Sequence, residues 1–138
     1  MMKTKGMILW AVFMTVISCM TACQTEQGRN EPIPAKPDYQ DSTQWYVSYS
    51  QAGADIFYII STETGDYALP NGETCHYADT YGDSLRAPLY SEMLGVDTLV
   101  SGRLNYFAPY YRQCSLQSFE NYSLKAARMQ LAADDVRR

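Results

Sequence analysis

Apolar positions gather in distinct stretches along the chain, each with its own period. Residues 7–17 form an almost unbroken apolar run, Met-Ile-Leu-Trp-Ala-Val-Phe-Met-Thr-Val-Ile, behind a short basic segment carrying Lys3 and Lys5. Ala54-Asp55-Ile56-Phe57-Tyr58-Ile59-Ile60 is apolar on both alternating faces after its first polar residue, and β-branched and aromatic side chains dominate it. With Gly53 before it and residues 61–65 after it, the pattern predicts a strand buried on two sides. Leu104-Asn105-Tyr106-Phe107-Ala108, stopped by Pro109, predicts a second such strand. Between them, residues 62–81 are rich in Gly, Asp, Asn, Thr and Tyr and predict a long loop. Residues 83–99 then place Leu85, Leu89, Met93 and Val96 at helical spacing, with Pro88 early, which predicts a short helix closing at or near Gly95. Residues 126–138 return to a helical pattern that breaks off with no capping glycine or proline, and so read as an element cut in mid-pattern. Strand, crossover helix and strand together predict an α/β domain with a parallel sheet in three layers.

Length and composition narrow this further. The chain has 138 residues, enough for one domain, and is 46% hydrophobic against 19% charged, which excludes a disordered tail. Eleven basic and fifteen acidic side chains give a net charge of −4. That balance, with no basic run, argues against nucleic acid as a partner.

The apolar run near the start is shorter than the roughly 20 residues that span a bilayer, so residues 1–22 predict a secretory signal instead of a membrane helix. A small residue followed by Cys closes the run twice, in Val16-Ile17-Ser18-Cys19 and Met20-Thr21-Ala22-Cys23. Both resemble the lipobox of bacterial lipoproteins, in which the Cys thiol is acylated after cleavage. Cys19 has the better aliphatic residue three positions upstream, whereas Cys23 follows Ala22 and stands at the switch to polar sequence. Cys23 is the preferred lipidation site and Cys19 the alternative; a plain cleaved signal with incidental cysteines is the third reading. The expectation is an exported chain, lipid-anchored to the bacterial cell envelope, with the membrane as its partner. Pro32, Pro34 and Pro37 make residues 23–44 an extended tether, and the domain is expected over residues 45–138.

Three ordered blocks carry a more specific likeness. Ala54-Asp55-Ile56-Phe57-Tyr58-Ile59, then Phe107-Ala108-Pro109-Tyr110-Tyr111-Arg112-Gln113, then Leu131-Ala132-Ala133-Asp134-Asp135-Val136-Arg137 resemble the opening half of domain-of-unknown-function family 3089, in the α/β-hydrolase superfamily. In that family the closing helix leads to a strand, a Gly-x-Ser-x-Gly-like nucleophile elbow, and later an acid and a His. The sequence stops before any of those. The resemblance therefore implies an incomplete parallel-sheet α/β-hydrolase-like fold, truncated before its elbow, and leaves activity of this chain uncertain.

The candidate chemistry agrees with that reading. The nearest elbow-like stretch, Gly82-Asp83-Ser84-Leu85-Arg86, lacks the second Gly that the strained turn needs. His76 is the only histidine and reads as a loop residue with no catalytic duty. Cys75, His76, Asp79 and Cys114 contain no Cys-x-x-Cys pair, so no metal or other cofactor is expected. Cys75 and Cys114 read instead either as a disulfide or as two reduced thiols. Closing a loop of about 40 residues would contribute on the order of 3–4 kcal/mol. Ligands of open α/β sheets bind beyond the carboxyl ends of the strands. By resemblance, the loop after the first strand would donate an oxyanion-hole N–H, with Ser61 and Thr62 as candidates. The second strand ends in Tyr110, Tyr111, Arg112 and Gln113, a candidate polar wall for an acyl or phosphate-bearing substrate. Arg112 alternatively holds a buried carboxylate such as Asp55, and the tyrosines alternatively only pack.

Two functions are compatible with these residues. One is the N-terminal fragment of an envelope-anchored hydrolase of esterase or lysophospholipase type, inactive alone, whose complete form acts on a small ester or lipid. The other is a non-catalytic surface lipoprotein that binds a ligand or partner through its tyrosine-rich rim. A small parallel sheet with one face uncovered also predicts an aggregation-prone or partly molten chain.

Overall fold

A computed structural model describes residues 30–51, 53–100 and 102–137. The expected signal segment and both candidate lipidation sites, Cys19 and Cys23, lie outside them. Five strands and two helices are present among the described residues: β1 (Trp45–Ser48), β2 (Asp55–Phe57), β3 (Tyr67–Ala68), β4 (Thr74–Cys75), α1 (Asp83–Val100), β5 (Asn105–Pro109) and α2 (Tyr122–Val136). The α/β expectation holds at the level of mixed content. The sheet, however, is mixed and not purely parallel. Its order is β1-β5-β2, with β5 antiparallel to β1 and parallel to β2.

Register assigns each side chain to a face, because directly opposed residues share one. Tyr46, Ser48, Ile56, Tyr106 and Ala108 occupy one face. Tyr106 and Ala108 are fully buried there and pack in one cluster with Leu89 and Met93 of α1. Trp45, Val47, Phe57 and Phe107 occupy the opposite face. Val47 is 40% exposed and Phe57 55% exposed, so the two-sided burial read into residues 54–60 is not realised among the described residues. The apolar pattern of both faces is present, but a helix covers only one.

The core is amphipathic. Tyr46 Oη donates to Asp97 Oδ2 at 2.9 Å, and burial together with that carboxylate pushes its phenol up to about 12. Tyr46 also meets the rings of Tyr90 and Tyr106 edge-on, at 5.5 and 5.6 Å.

Three sequence expectations need correction. Residues 62–81 are not a plain loop, since β3 and β4 pair there as a hairpin across Pro70-Asn71-Gly72, with Gly72 at φ +85°. Helix α1 passes through Gly95 and ends at Val100, where the Arg103 amide returns to the Val100 carbonyl and Gly102 takes φ +74°. The stop is therefore a left-handed glycine beyond the helix, and the interior glycine is merely tolerated. Finally, the tether does not extend to residue 44, because Pro32–Arg138 forms one compact unit. The carbonyls of Pro34, Lys36 and Tyr39 accept from Arg112, Tyr81 and Trp45, so the proline segment is docked along the domain. No helix among the described residues is long and apolar enough to cross a membrane.

Candidate functional site

The carboxyl ends of the parallel pair β2 and β5 lie side by side, so the segments that follow them run together. Tyr111 Oη donates to the Ile60 carbonyl at 2.7 Å. Two residues further on, the Gln113 amide works in both directions. Its Nε2 donates to the Ser61 carbonyl at 2.7 Å, and its Oε1 accepts the Glu63 amide at 2.9 Å. Gln113 is 1% exposed, so these bonds are shielded from competing water. Residues 61–63 are thereby held at both ends. The backbone amides of Ser61 and Thr62, inside that bracket, have no partner among the described residues. Ser61 Oγ is turned to Glu63 Oε1 at 2.9 Å.

The four residues read as a substrate wall do not share one pocket. Tyr110 is 3% exposed and Tyr111 8% exposed, so neither presents a phenol to a common cleft. The Arg86 guanidinium lies 4.0 Å above the Tyr110 ring, and Tyr110 faces a cavity of about 440 Å³ that Asp83, Arg86 and Tyr90 also line. Arg112 turns the other way, onto α2. It holds Asp135, not Asp55, with Nε to Oδ2 at 2.8 Å and Nη2 to Oδ1 at 2.6 Å. Asp55 instead accepts from Asn105 Nδ2 at 2.7 Å. Arg112 also lines a cavity of about 560 Å³, together with Lys36, Ala127, Gln130, Leu131, Asp134 and Arg137.

His76 is better partnered than its sequence suggests. Its Nδ1 lies 2.8 Å from Asp66 Oδ1, with both side chains partly exposed. That orients the ring, yet no serine, threonine or cysteine side chain hydrogen-bonds to it among the described residues. Ser84 is the second residue of α1 and lies on its surface, which is a helix start and not a strand-to-helix elbow.

The Cys75–Cys114 disulfide is not formed, and both thiols are free and buried. Cys75 Sγ is 3.5 Å from the carbonyls of both Pro32 and Tyr77, a direction that serves weak S–H donation. Burial pushes the Cys114 thiol up from its ordinary value.

Two spatial relationships were not apparent in the sequence. Asp66 and His76 meet only because the β3–β4 hairpin folds back, and Pro70-Asn71-Gly72 between short β-prone stretches was the available signal. Lys36 and Arg137 come to one cavity with no local signal at all. No family model matches the chain, and no curated protein or solved structure matches it either.

Proposed function

We propose that this chain forms the N-terminal side of an envelope-anchored α/β-hydrolase-like enzyme, of esterase or lysophospholipase type, and supplies its oxyanion cradle without a nucleophile. The observation that carries the reading is the bracketed loop at residues 61–63. Stabilising a developing oxyanion requires N–H donors fixed before the reaction begins. Gln113 immobilises the flanks of the loop and leaves the amides of Ser61 and Thr62 unspent. The loop stands beyond the carboxyl end of a strand in a parallel pair, where ligands of open α/β sheets bind.

Further support comes from the uncovered sheet face and from β2, whose outer edge is free among the described residues. The Ala54 carbonyl and Tyr58 amide bond to β5, so by alternation the backbone groups of Phe57 and Ile59 point away from it. Such an edge suits a domain that takes further strands. The tyrosine-rich rim of the alternative reading is not favoured, because Tyr110 and Tyr111 are buried.

The test pairs catalysis with binding. The purified chain is expected to hydrolyse p-nitrophenyl esters no faster than buffer. A short-chain alkyl phosphonate, a tetrahedral anion that mimics the oxyanion without needing a nucleophile, is expected to shift the amide resonances of Ser61 and Thr62. Hydrolysis abolished by Ser84→Ala would overturn the nucleophile-free assignment, and unmoved amides at Ser61 and Thr62 would overturn the cradle.

A further inference from the structure

The cavity beside α2 draws together three of the eleven Lys and Arg side chains of an acidic protein. Its wall carries Lys36 from the docked proline segment, Arg112 from the end of β5, and Arg137 from the end of α2. At about 560 Å³ it lies within the usual range for small-molecule sites, roughly 300–1,000 Å³. The three cations are held differently. Arg112 is fixed by its two bonds to Asp135 and a third from Nη1 to the Pro34 carbonyl at 3.3 Å. A guanidinium has five N–H groups, so two remain unspent. Lys36 Nζ has no partner among the described residues. Among the described residues Arg137 has only the distant carboxylate of Asp134, at 4.0 Å, and its side chain is 69% exposed.

Among the described residues Asp134 is the one carboxylate in the lining, and its Oδ1 already accepts from Gln130 Nε2 at 2.7 Å. Asp135 neutralises Arg112 from behind, which leaves one uncompensated positive charge at the cavity. Ala127 and Leu131, one turn apart on α2, make an apolar strip along the same wall. Unspent N–H donors, a free ammonium and an adjacent apolar strip match a phosphate group with a hydrocarbon or sugar portion attached.

We propose that the cavity of Lys36, Arg112 and Arg137 is a binding site for a phosphate-bearing ligand, either a lipid headgroup or a soluble phosphoester. This site does not depend on the loop at residues 61–63, and its residues play no part in the oxyanion reading.

Inorganic phosphate titrated into the 138-residue chain at constant ionic strength, followed by amide chemical shifts, tests the site. Saturable shifts are expected on residues around Lys36 and Arg137, with weak, millimolar-range affinity. The Lys36→Ala/Arg137→Ala double variant alters exposed side chains and is expected to keep its melting temperature while binding phosphate at least tenfold more weakly. Asp134→Asn removes the one opposing charge in the lining and is expected to bind about threefold more tightly. Flotation with vesicles of phosphatidylglycerol or of phosphatidylcholine separates the sources. Vesicle binding lost in the double variant along with phosphate binding assigns a lipid headgroup, and phosphate binding lost while vesicle binding persists assigns a soluble phosphoester. Equal phosphate affinity in the double variant and the parent, or no tightening in Asp134→Asn, would overturn the site.

Discussion

Arg112 and Asp135 form a two-point fork at 2.8 and 2.6 Å, with the Asp135 side chain fully buried and that of Arg112 11% exposed. The Arg112 backbone amide adds a third bond to the same carboxylate at 3.1 Å. This fork ties α2 to the end of β5. Asp135→Ala would leave the guanidinium without its partner, and breaking a buried pair from one side costs about 3–5 kcal/mol. Denaturant unfolding should show that loss. Arg112→Met/Asp135→Leu should recover much of it, since no lone charge is then left inside.

Gln113 predicts a local effect. Gln113→Ala removes both bonds to residues 61–63, at about 0.5–1.5 kcal/mol each. Hydrogen exchange at Ser61, Thr62 and Glu63 should accelerate more than exchange in β5. Gln113→Glu should be worse than a neutral swap, because its second oxygen would face the Ser61 carbonyl. Unchanged exchange in that loop would contradict the bracket.

The two glycines near the end of α1 should respond with opposite signs. Gly95 lies inside the helix with open space where an alanine methyl would stand, so Gly95→Ala should stabilise by about 0.5–1 kcal/mol. Gly102 also has open space but sits at φ +74°, so Gly102→Ala should cost about 1–2 kcal/mol from backbone strain. Thermal melts of the two variants check both signs.

Stability should fall at alkaline pH. Burial raises the phenols of Tyr39, Tyr67 and Tyr106, and burial plus Asp97 takes Tyr46 up to about 12. The folded state holds these protons more tightly than the unfolded state, whose phenols titrate near 10. Their contribution is therefore complete below pH 10; that of Tyr46 is lost as pH rises from 10 through 12, while those of the other three start to fall there and are lost fully only at higher pH. Denaturation midpoints measured across that window should decline, with tyrosinate absorbance rising in step. Tyr46→Phe should reduce the slope.

The buried thiols give a chemical readout. Cys75 and Cys114 are both free, and burial disfavours the Cys114 thiolate that would react. Peptide mapping after alkylation should find little modification of either in the native protein and full modification after denaturation. A Cys75–Cys114 disulfide in the untreated protein would contradict the free-thiol state.

Local periodicity was enough to establish the existence and type of the longest elements. Helical spacing of Leu89, Met93 and Val96 marked α1, and the run Asn105-Tyr106-Phe107-Ala108 marked β5, because periodicity belongs to short stretches of chain. Residue chemistry also singled out Arg112 and Gln113, together with the alternative of Arg112 holding a buried carboxylate. Long-range packing settled which carboxylate that is: Asp135 and not Asp55. It likewise set the antiparallel pairing of β1, the single covered face of the sheet, and the docking of the proline segment that carries the Lys36 ammonium to α2. Each of these is a contact between residues far apart in sequence. Such contacts depend on strand register and on how helices and loops close over the sheet, and no local pattern of apolar and polar positions encodes that choice.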